Sequence, residues 1–284
     1  MQEGKLKPIV AARAHALLEC GGYAGKAVLV TKKGEKMNGS QMMKQEKDVL
    51  RWGGLSGMLG SVLLIAAMAI VITMMPPDPA TWEEWVTRFA DIKTTRILEN
   101  TVYIMGVIFW VPAFLALYYA LRRTNLAFTL FGSVLGILGL AILMVGALPH
   151  IGVMPLADIY YAAETTVADK ATLGLMWQGS QAIHESSLAV GILVVPIAML
   201  FLSIAMFGSP TFGKGFAAIS LLLGIAGTIG AVGNIITLSE IGAIPVFAII
   251  IFNFVVGWKL FSLSKMAGAI TQPIESAMPE LRTG

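Results

Sequence analysis

The sequence predicts an all-α protein: a polytopic transmembrane helix bundle with six spanning helices and both termini in the cytoplasm. Of its 284 residues, 56% are hydrophobic and only 13% are charged, whereas about a quarter of the residues of a soluble domain are charged. The charged residues crowd into the first fifty positions and a few short loops. Long uncharged stretches remain between them, which is typical of membrane spans.

Six windows are long and apolar enough to cross a bilayer, whose hydrocarbon core of about 30 Å requires about 20 residues of α-helix. Spanning β-strands would alternate in polarity, and these windows do not. Backbone polar groups in lipid must be bonded within the chain, so helix is the remaining structure. The predicted spans are Leu55–Met75, Thr101–Leu121, Leu126–Leu148, Leu188–Phe207, Phe216–Leu238 and Ala243–Leu263.

The distribution of Lys and Arg predicts the orientation. Sixteen of the 20 lie on the side that holds both termini, and that side is expected to face the cytoplasm. Residues 1–50 form a predicted basic tail, flexible or at the membrane surface; 51–264 form the membrane domain and 265–284 a cytoplasmic tail. Met37 would begin a shorter chain that keeps every span. The basic residues predicted to lie on the outer side are Arg88, Lys93, Arg96 and Lys170.

The loops on the outer side are predicted to be ordered. After the prolines of residues 76–79, Thr81 and Glu84 form a capping-box pattern, and the apolar residues that follow recur at helical spacing. This pattern predicts a separate helix that lies flat at the membrane interface. The second half of loop 149–187, from about Ala168, is expected to continue into the fourth span.

Glycines at three- and four-residue spacing are predicted to allow close helix packing in the first, third and fifth spans. The second, fourth and sixth spans instead carry Pro112, Pro196 and Pro245, which kink a helix unless they lie in its first turn. Ordinary helix packing is the simpler interpretation, and a hinge for transport is the alternative. The candidate packing glycines are Gly132, Gly136, Gly224, Gly227, Gly230 and Gly233.

Ionisable groups at membrane depth are costly, so they are candidates for function. No acidic or basic residue lies at the centre of any predicted span, which argues against a proton-coupled pump or a voltage sensor. Asn234 and Asn253 are the candidate intramembrane polar positions. A small transporter would require these two side chains to face one shared cavity.

The outer boundary of the spans holds more polar residues, which form a candidate ligand or metal site. Two histidines with carboxylates could bind a divalent metal, and two histidines at the ends of consecutive helices could ligate a haem. No H-x-x-E-H or H-E-x-x-H pattern accompanies them. The simpler expectation is that no cofactor binds and that these residues cap helices and bond to lipid headgroups. The residues are Glu99, His150, Gln181, His184 and Glu185.

Sequence patterns for other chemistry are missing. Cys20 is the single cysteine, which excludes an intrachain disulfide and a cysteine-based zinc cluster. There is no G-x-x-x-x-G-K-[ST] phosphate loop and no G-x-S-x-G nucleophile pattern. Nucleic-acid binding by the basic tail is not expected, because the tail lacks a recognition fold. The expected partners are membrane lipids and either a second copy of the chain or another subunit of a membrane complex.

Two stretches carry a family resemblance. Residues 116–125, Ala-Leu-Tyr-Tyr-Ala-Leu-Arg-Arg-Thr-Asn, end one span with a basic pair and run almost at once into the next. The second stretch begins at His184 and runs through an apolar span to Phe207-Gly-Ser-Pro210, then Phe212-Gly213, then a glycine-rich helix.

Over residues 50–262 the chain resembles an uncharacterised family of small prokaryotic multi-pass membrane proteins, catalogued as a domain of unknown function. The resemblance implies six helices in a prokaryotic plasma membrane. It also draws attention to His184, because in that family a histidine tends to open the equivalent helix. It implies no activity.

Three functions are compatible with the sequence. The first is a non-enzymatic protein that binds a ligand, a lipid or a partner at the outer end of the bundle, which the lack of buried charge and of catalytic patterns favours. The second is a small transporter or permease. The third is a metal- or haem-dependent membrane enzyme, which requires His150 and His184 to lie within ligand reach of one another.

Overall fold

The computed structural model describes residues 39–76, 82–162, 164–237 and 243–277, and the regular structure within these ranges is α-helical. Six of the helices are long and apolar enough to cross a membrane, which confirms the predicted all-helical class and the number of spanning helices. The seven helices of these ranges are α1 (Gly39–Met74), α2 (Trp82–Leu121), α3 (Leu126–Gly152), α4 (Met154–Tyr160), α5 (Val167–Phe207), α6 (Lys214–Thr237) and α7 (Ala243–Ala277).

The first and last long helices extend past the predicted tail boundaries. Helix α1 begins at Gly39 and α7 continues to Ala277, so both boundaries, at residues 50 and 264, lie inside helices. Most of the predicted basic tail, and Thr81 of the predicted capping box, lie outside the described residues.

Helices α2 and α5 are much longer than a membrane is thick. They contain 40 and 41 residues, so each is about 60 Å long, against about 30 Å of hydrocarbon. The prediction of a separate flat interfacial helix was wrong, because residues 82–100 are the first half of α2. They contain no glycine or proline that would end the helix. The expected continuation of the 149–187 loop into the fourth span is confirmed, since α5 begins at Val167.

Side-chain caps fix where two of the helices begin. Asn125 precedes α3, and its side chain accepts a hydrogen bond from the backbone N–H of Phe128 at 3.3 Å. Thr166 precedes α5 and forms a capping box with Asp169: the Thr166 hydroxyl accepts from the Asp169 N–H at 3.2 Å, and the Asp169 carboxylate accepts from the Thr166 N–H at 3.1 Å. These bonds satisfy backbone donors that a helix leaves free at its first turn.

The six long helices form a closed ring in the order α1, α2, α3, α5, α6, α7, and α7 returns to α1. Helices α2, α5 and α7 also contact one another across the centre. These three inner helices carry Pro112, Pro196 and Pro245, and the glycine-rich α1, α3 and α6 lie between them on the outside. Apart from Pro149 near the end of α3, the alternation of proline and glycine along the sequence therefore corresponds to an alternation of inner and outer helices.

The bundle has two chemically different ends. The basic end, residues 44–58, 112–131, 198–220 and 252–266, holds most of the described Lys and Arg side chains. The histidine end is the opposite one and holds both histidines of the described ranges, His150 and His184. At the histidine end, residues 82–98 of α2, helix α4 and residues 167–183 of α5 form a helical cap.

Two separate apolar cores stabilise this arrangement. The larger core fills the bundle and is tightest in its basic half, where the largest fully buried side chains meet. The smaller one lies within the cap and consists of Val86, Val153, Ala157 and Trp177. The buried side chains that fill the basic half are Phe114, Leu117, Met199, Leu202, Met206, Phe252 and Leu260.

The outward surface of the bundle is strongly apolar. Ile72, Leu222 and Ile229 expose 75%, 64% and 67% of their surface. Contiguous apolar exposure on this scale is unfavourable in water and is expected where a surface faces lipid. Trp52 and Trp258 are exposed at the basic end, at the level where tryptophan anchors a span to the membrane interface.

Candidate functional site

A layer of polar side chains separates the apolar core of the bundle from the apolar core of the cap. It lies where α2, α3 and α5 pass from one core to the other. The sequence places most of these residues at the outer boundary of the spans, and the helices bring them to one level. The polar layer consists of Arg96, Glu99, Asn100, His150, Gln181, His184 and Glu185.

The two histidines form the centre of the polar layer. The rings of His150 on α3 and His184 on α5 are stacked, with centroids 3.9 Å apart and an angle of 30° between their planes. His184 Nδ1 lies 2.7 Å from the carbonyl oxygen of Gly146, and His150 Nε2 lies 3.2 Å from Oε1 of Gln181. Each ring is therefore bonded to the other helix, and the pair crosslinks α3 to α5.

Close packing of α3 and α5 at Gly146 brings the groups of this crosslink within hydrogen-bonding distance. A Cβ atom added at Gly146 would lie 3.1 Å from Cβ of Ser187 and 3.5 Å from the backbone nitrogen of Leu188. Only a small residue lets α3 approach α5 this closely. The Gly146 carbonyl has two lone pairs, so it accepts from His184 without losing its place in the helix.

Charges flank the histidine pair on the side of α2. Arg96 and Glu99 form an ion pair at 3.5 Å, and their side chains are only 13% and 12% exposed. Asn100 is 2% exposed and donates from Nδ2 to the Arg96 carbonyl at 2.9 Å. The positive charge of Arg96 acts on both imidazole rings, and the negative charge of Glu185 acts on His184.

The hydrogen bonds suggest where each ring carries its proton. The Gly146 carbonyl can only accept, so Nδ1 of His184 is the donor and Nε2 holds the lone pair in the neutral ring. If Gln181 presents its oxygen to His150, Nε2 is the donor there and Nδ1 holds the lone pair. The layer therefore combines hydrogen-bond donors and acceptors with a cation and carboxylates.

The geometry gives no support to the metal or haem interpretation. Two imidazoles that share an ion each point a ring nitrogen at it, whereas His150 and His184 present their faces to one another. A porphyrin cannot fit between rings that are already in contact. Throughout the described ranges, no group of three or more His, Cys, Asp and Glu side chains is placed to hold a metal ion.

The two candidate intramembrane asparagines lie at different levels of the bundle. Gly230 and Pro245 mark the same level of α6 and α7, since a Cβ at Gly230 would lie 2.9 Å from Cδ of Pro245. Asn234 lies one turn beyond this level toward the histidine end, and Asn253 lies about two turns below it, so about 18 Å separates them along the axis. Asn253 is 1% exposed and donates to the Ile249 carbonyl of its own helix at 2.9 Å.

Among the described residues, a small cavity lies near the centre of the bundle. Its volume is about 30 Å³, and its lining is apolar except for Tyr103 and Trp110. The Trp110 indole N–H donates to the Ser61 hydroxyl at 3.2 Å, and that hydroxyl donates to the Ile250 carbonyl at 3.1 Å. The described lining of this cavity includes neither Asn234 nor Asn253.

Five of the six candidate glycines lie at close helix contacts. An added Cβ would come within 3.0 Å of a neighbouring helix at Gly132, Gly136, Gly224, Gly227 and Gly230. At Gly233 no atom of the described chain lies within 4 Å of that position. The tightest backbone-to-backbone approach, between Gly54 of α1 and Gly257 of α7, was not among the candidates. A Cβ at Gly54 would lie 2.6 Å from the Gly257 carbonyl oxygen.

Two members of the polar layer, Arg96 and Asn100, lie outside the predicted ligand or metal site, and the sequence analysis places Arg96 only among the basic residues of the outer side. A continuous helix through residues 96, 99 and 100 would have placed it on the face of Glu99, since residues three apart are neighbours. Comparisons of the chain with protein-family models, with curated proteins and with solved structures found no match, so the geometry alone supports an assignment.

Proposed function

We propose that this chain is a non-enzymatic membrane protein that binds a ligand through its histidine end. In this proposal the protein lies in a prokaryotic plasma membrane, with the basic end and both termini in the cytoplasm. The excess of Lys and Arg at the basic end supports this orientation. The histidine end and its cap then face the outside.

The proposal rests on one difference between the two halves of the bundle: one contains a layer of polar side chains, and the other is filled with apolar side chains. At the histidine end, α2, α3 and α5 present a polar layer beneath a cap that stands beyond the membrane. In the basic half, Phe114, Met199 and Phe252 are each essentially inaccessible to solvent. A bundle filled in this way offers no water-lined route, so binding at one end is favoured over passage through the membrane.

Thiol labelling tests both the sealed half and the orientation. The design uses the full chain with Cys20→Ser and two single cysteines on α5: Thr172→Cys in the exposed part of the cap, and Ser203→Cys in the basic half, where Ser203 is fully buried. We expect a membrane-impermeant maleimide to label Thr172→Cys in intact cells. Ser203→Cys should react only after unfolding.

Each outcome bears on the proposal. Labelling of Ser203→Cys in the folded protein would show a water-filled route and favour transport. Labelling of Thr172→Cys only after the cells are permeabilised would reverse the orientation. The binding claim is tested by native mass spectrometry of the full chain released from its own membranes in mild detergent, and we expect a retained small-molecule mass. A bare chain in every detergent would contradict ligand binding.

A further inference from the structure

The cap contains a cleft that lies apart from the polar layer. Its volume is about 540 Å³, within the range of small-molecule sites. It lies between α4 and α5 and is closed on one side by the start of α2. The lining residues are Val86, Tyr160, Val167, Lys170, Ala171, Gly174, Leu175 and Gln178.

The cleft carries a positive charge at one end. Lys170 Nζ lies 5.2 Å from the ring centroid of Tyr160, a cation–π distance. Within the part of the chain that the structure describes, no carboxylate pairs with Lys170. The neighbouring Asp169 is engaged in the capping box with Thr166. Among the described lining residues, Lys170 is thus the only charged one, and it favours an anion.

The wall of the cleft between Lys170 and Gln178 is apolar, and Val167 adds an apolar side chain on the other side of Lys170. Val167 and Leu175 are 85% and 69% exposed, and Ala171 lies between them on the same face of α5. No heavy atom of the described chain lies within 4 Å of a Cβ position at Gly174, so the space beside it is open. A hydrocarbon chain laid along this wall would remove apolar surface from water, which is favourable.

The position of the cleft indicates the side from which a ligand arrives. Lys170 precedes Leu188, the start of the predicted fourth span, by 18 residues, or about 27 Å along α5. Lipid headgroups lie within about 10 Å of the hydrocarbon, since the whole bilayer is about 40–45 Å thick and its core about 30 Å. A ligand therefore reaches the cleft from water, or must leave the bilayer to do so.

We propose that the cap cleft binds an amphiphilic organic anion, with its carboxylate or phosphate head on Lys170 and its hydrocarbon chain along Ala171 and Leu175. From Lys170 to Gln178 the cleft is about 12 Å long, which suits a medium-length chain. This inference rests on the proposed ligand-binding function and names the chemistry of the ligand. The anion has two sources, a free amphiphile or a phospholipid drawn from the membrane.

The test measures binding of dodecanoate and of dodecyl phosphate to the full chain in nanodiscs of zwitterionic lipid, with empty nanodiscs subtracted. Gly174→Leu fills the cleft. Gly179→Leu is the matched control, because Gly179 is on the same helix, has no described heavy atom within 4 Å of its Cβ position and does not line the cleft. Lys170→Met removes the charge and Lys170→Arg keeps it.

We expect Gly174→Leu and Lys170→Met each to weaken binding about tenfold or more, the scale of a charge-assisted contact. Gly179→Leu and Lys170→Arg should stay within about threefold of wild type, and uncharged dodecanol should bind more weakly than either anion. Equal loss in both glycine variants, or no effect of Lys170→Met, would overturn the assignment of the cleft.

A further arm identifies the source of the anion. If anionic phosphatidylglycerol in the nanodisc competes with dodecyl phosphate, the ligand is a membrane lipid; if it does not, the ligand is a free amphiphile. Should wild type bind neither probe while native mass spectrometry still finds a retained mass, the cleft assignment fails and ligand binding elsewhere at the histidine end stands. If native mass spectrometry finds no retained mass and wild type binds neither probe, both proposals are contradicted.

Discussion

His150 and His184 lie face to face with ring centroids 3.9 Å apart, and each ring is also hydrogen-bonded to the other's helix. The contact joins α3 to α5 at the level where the apolar core of the bundle ends and the cap begins. Because two bonds and one stacking contact act on the same pair of helices, they should be coupled energetically. This coupling can be measured.

The first prediction concerns the histidine pair. His184→Ala removes the stacking contact and the bond to the Gly146 carbonyl, and we expect it to lower the free energy of unfolding by about 1–3 kcal/mol. Removing the second ring should lower the free energy of unfolding by less when the first ring is already absent. The difference, which is the coupling energy of the two rings, should be about 0.5–1.5 kcal/mol. The measurement is denaturant unfolding in mild detergent of both single variants and the double variant. Ile183→Ala, at a neighbouring exposed position, is the control. Strict additivity would show that the rings do not stabilise one another.

The second prediction concerns the ion pair of Arg96 and Glu99, whose side chains are almost buried. Glu99→Leu leaves the guanidinium without its partner and should destabilise the fold by about 2–4 kcal/mol. Adding Arg96→Met should restore most of that loss, because no uncompensated charge remains. The exposed pair of Lys93 and Asp158 offers a matched control, and Asp158→Asn should cost less than about 1 kcal/mol. A double variant as unstable as Glu99→Leu would refute the pairing argument.

The third prediction concerns helix packing. Gly54→Ala places a methyl group 2.6 Å from two backbone atoms of α7, the Gly257 oxygen and the Phe261 nitrogen. A backbone cannot rotate away as a side chain can, so the helices must separate. We expect a loss of about 1–3 kcal/mol in unfolding experiments. Gly179→Ala meets no neighbouring atom and should be neutral or slightly stabilising, because alanine favours helix. Equal effects of the two substitutions would show that α1 and α7 are not in close contact.

The number of spanning helices could be predicted because it depends on the length and polarity of each segment alone. Segment length and polarity did not predict where each helix begins and ends. The capping-box pattern and the apolar face that begin near residue 82 predict a separate helix at the membrane interface, yet α2 continues from there into the second span. A change of environment does not end a helix when the backbone hydrogen bonds can continue.

The candidate site was predicted residue by residue but not as an arrangement. Both histidines, Gln181 and Glu99 belong to the predicted set, yet their contacts depend on how far α3 and α5 are rotated and shifted against each other. Packing at positions such as Gly139, where an added Cβ would lie 2.7 Å from Val195, contributes to this register, and helical periodicity does not encode it. Asn253 shows the converse: its own helix supplies an acceptor, so a buried polar side chain there requires no ligand.

The unbroken course of α2 and α5 has a mechanical consequence. Each runs from the cap, past the polar layer, to the basic end as one rod of about 60 Å. When one end of such a stiff helix is displaced, the whole helix tilts. A tilt of about 5° over a length of about 60 Å moves the other end by about 5 Å. A tilt of α2 or α5 at the cap would therefore displace the basic end of the same helix. Pro112 and Pro196 are the places where the two helices can bend.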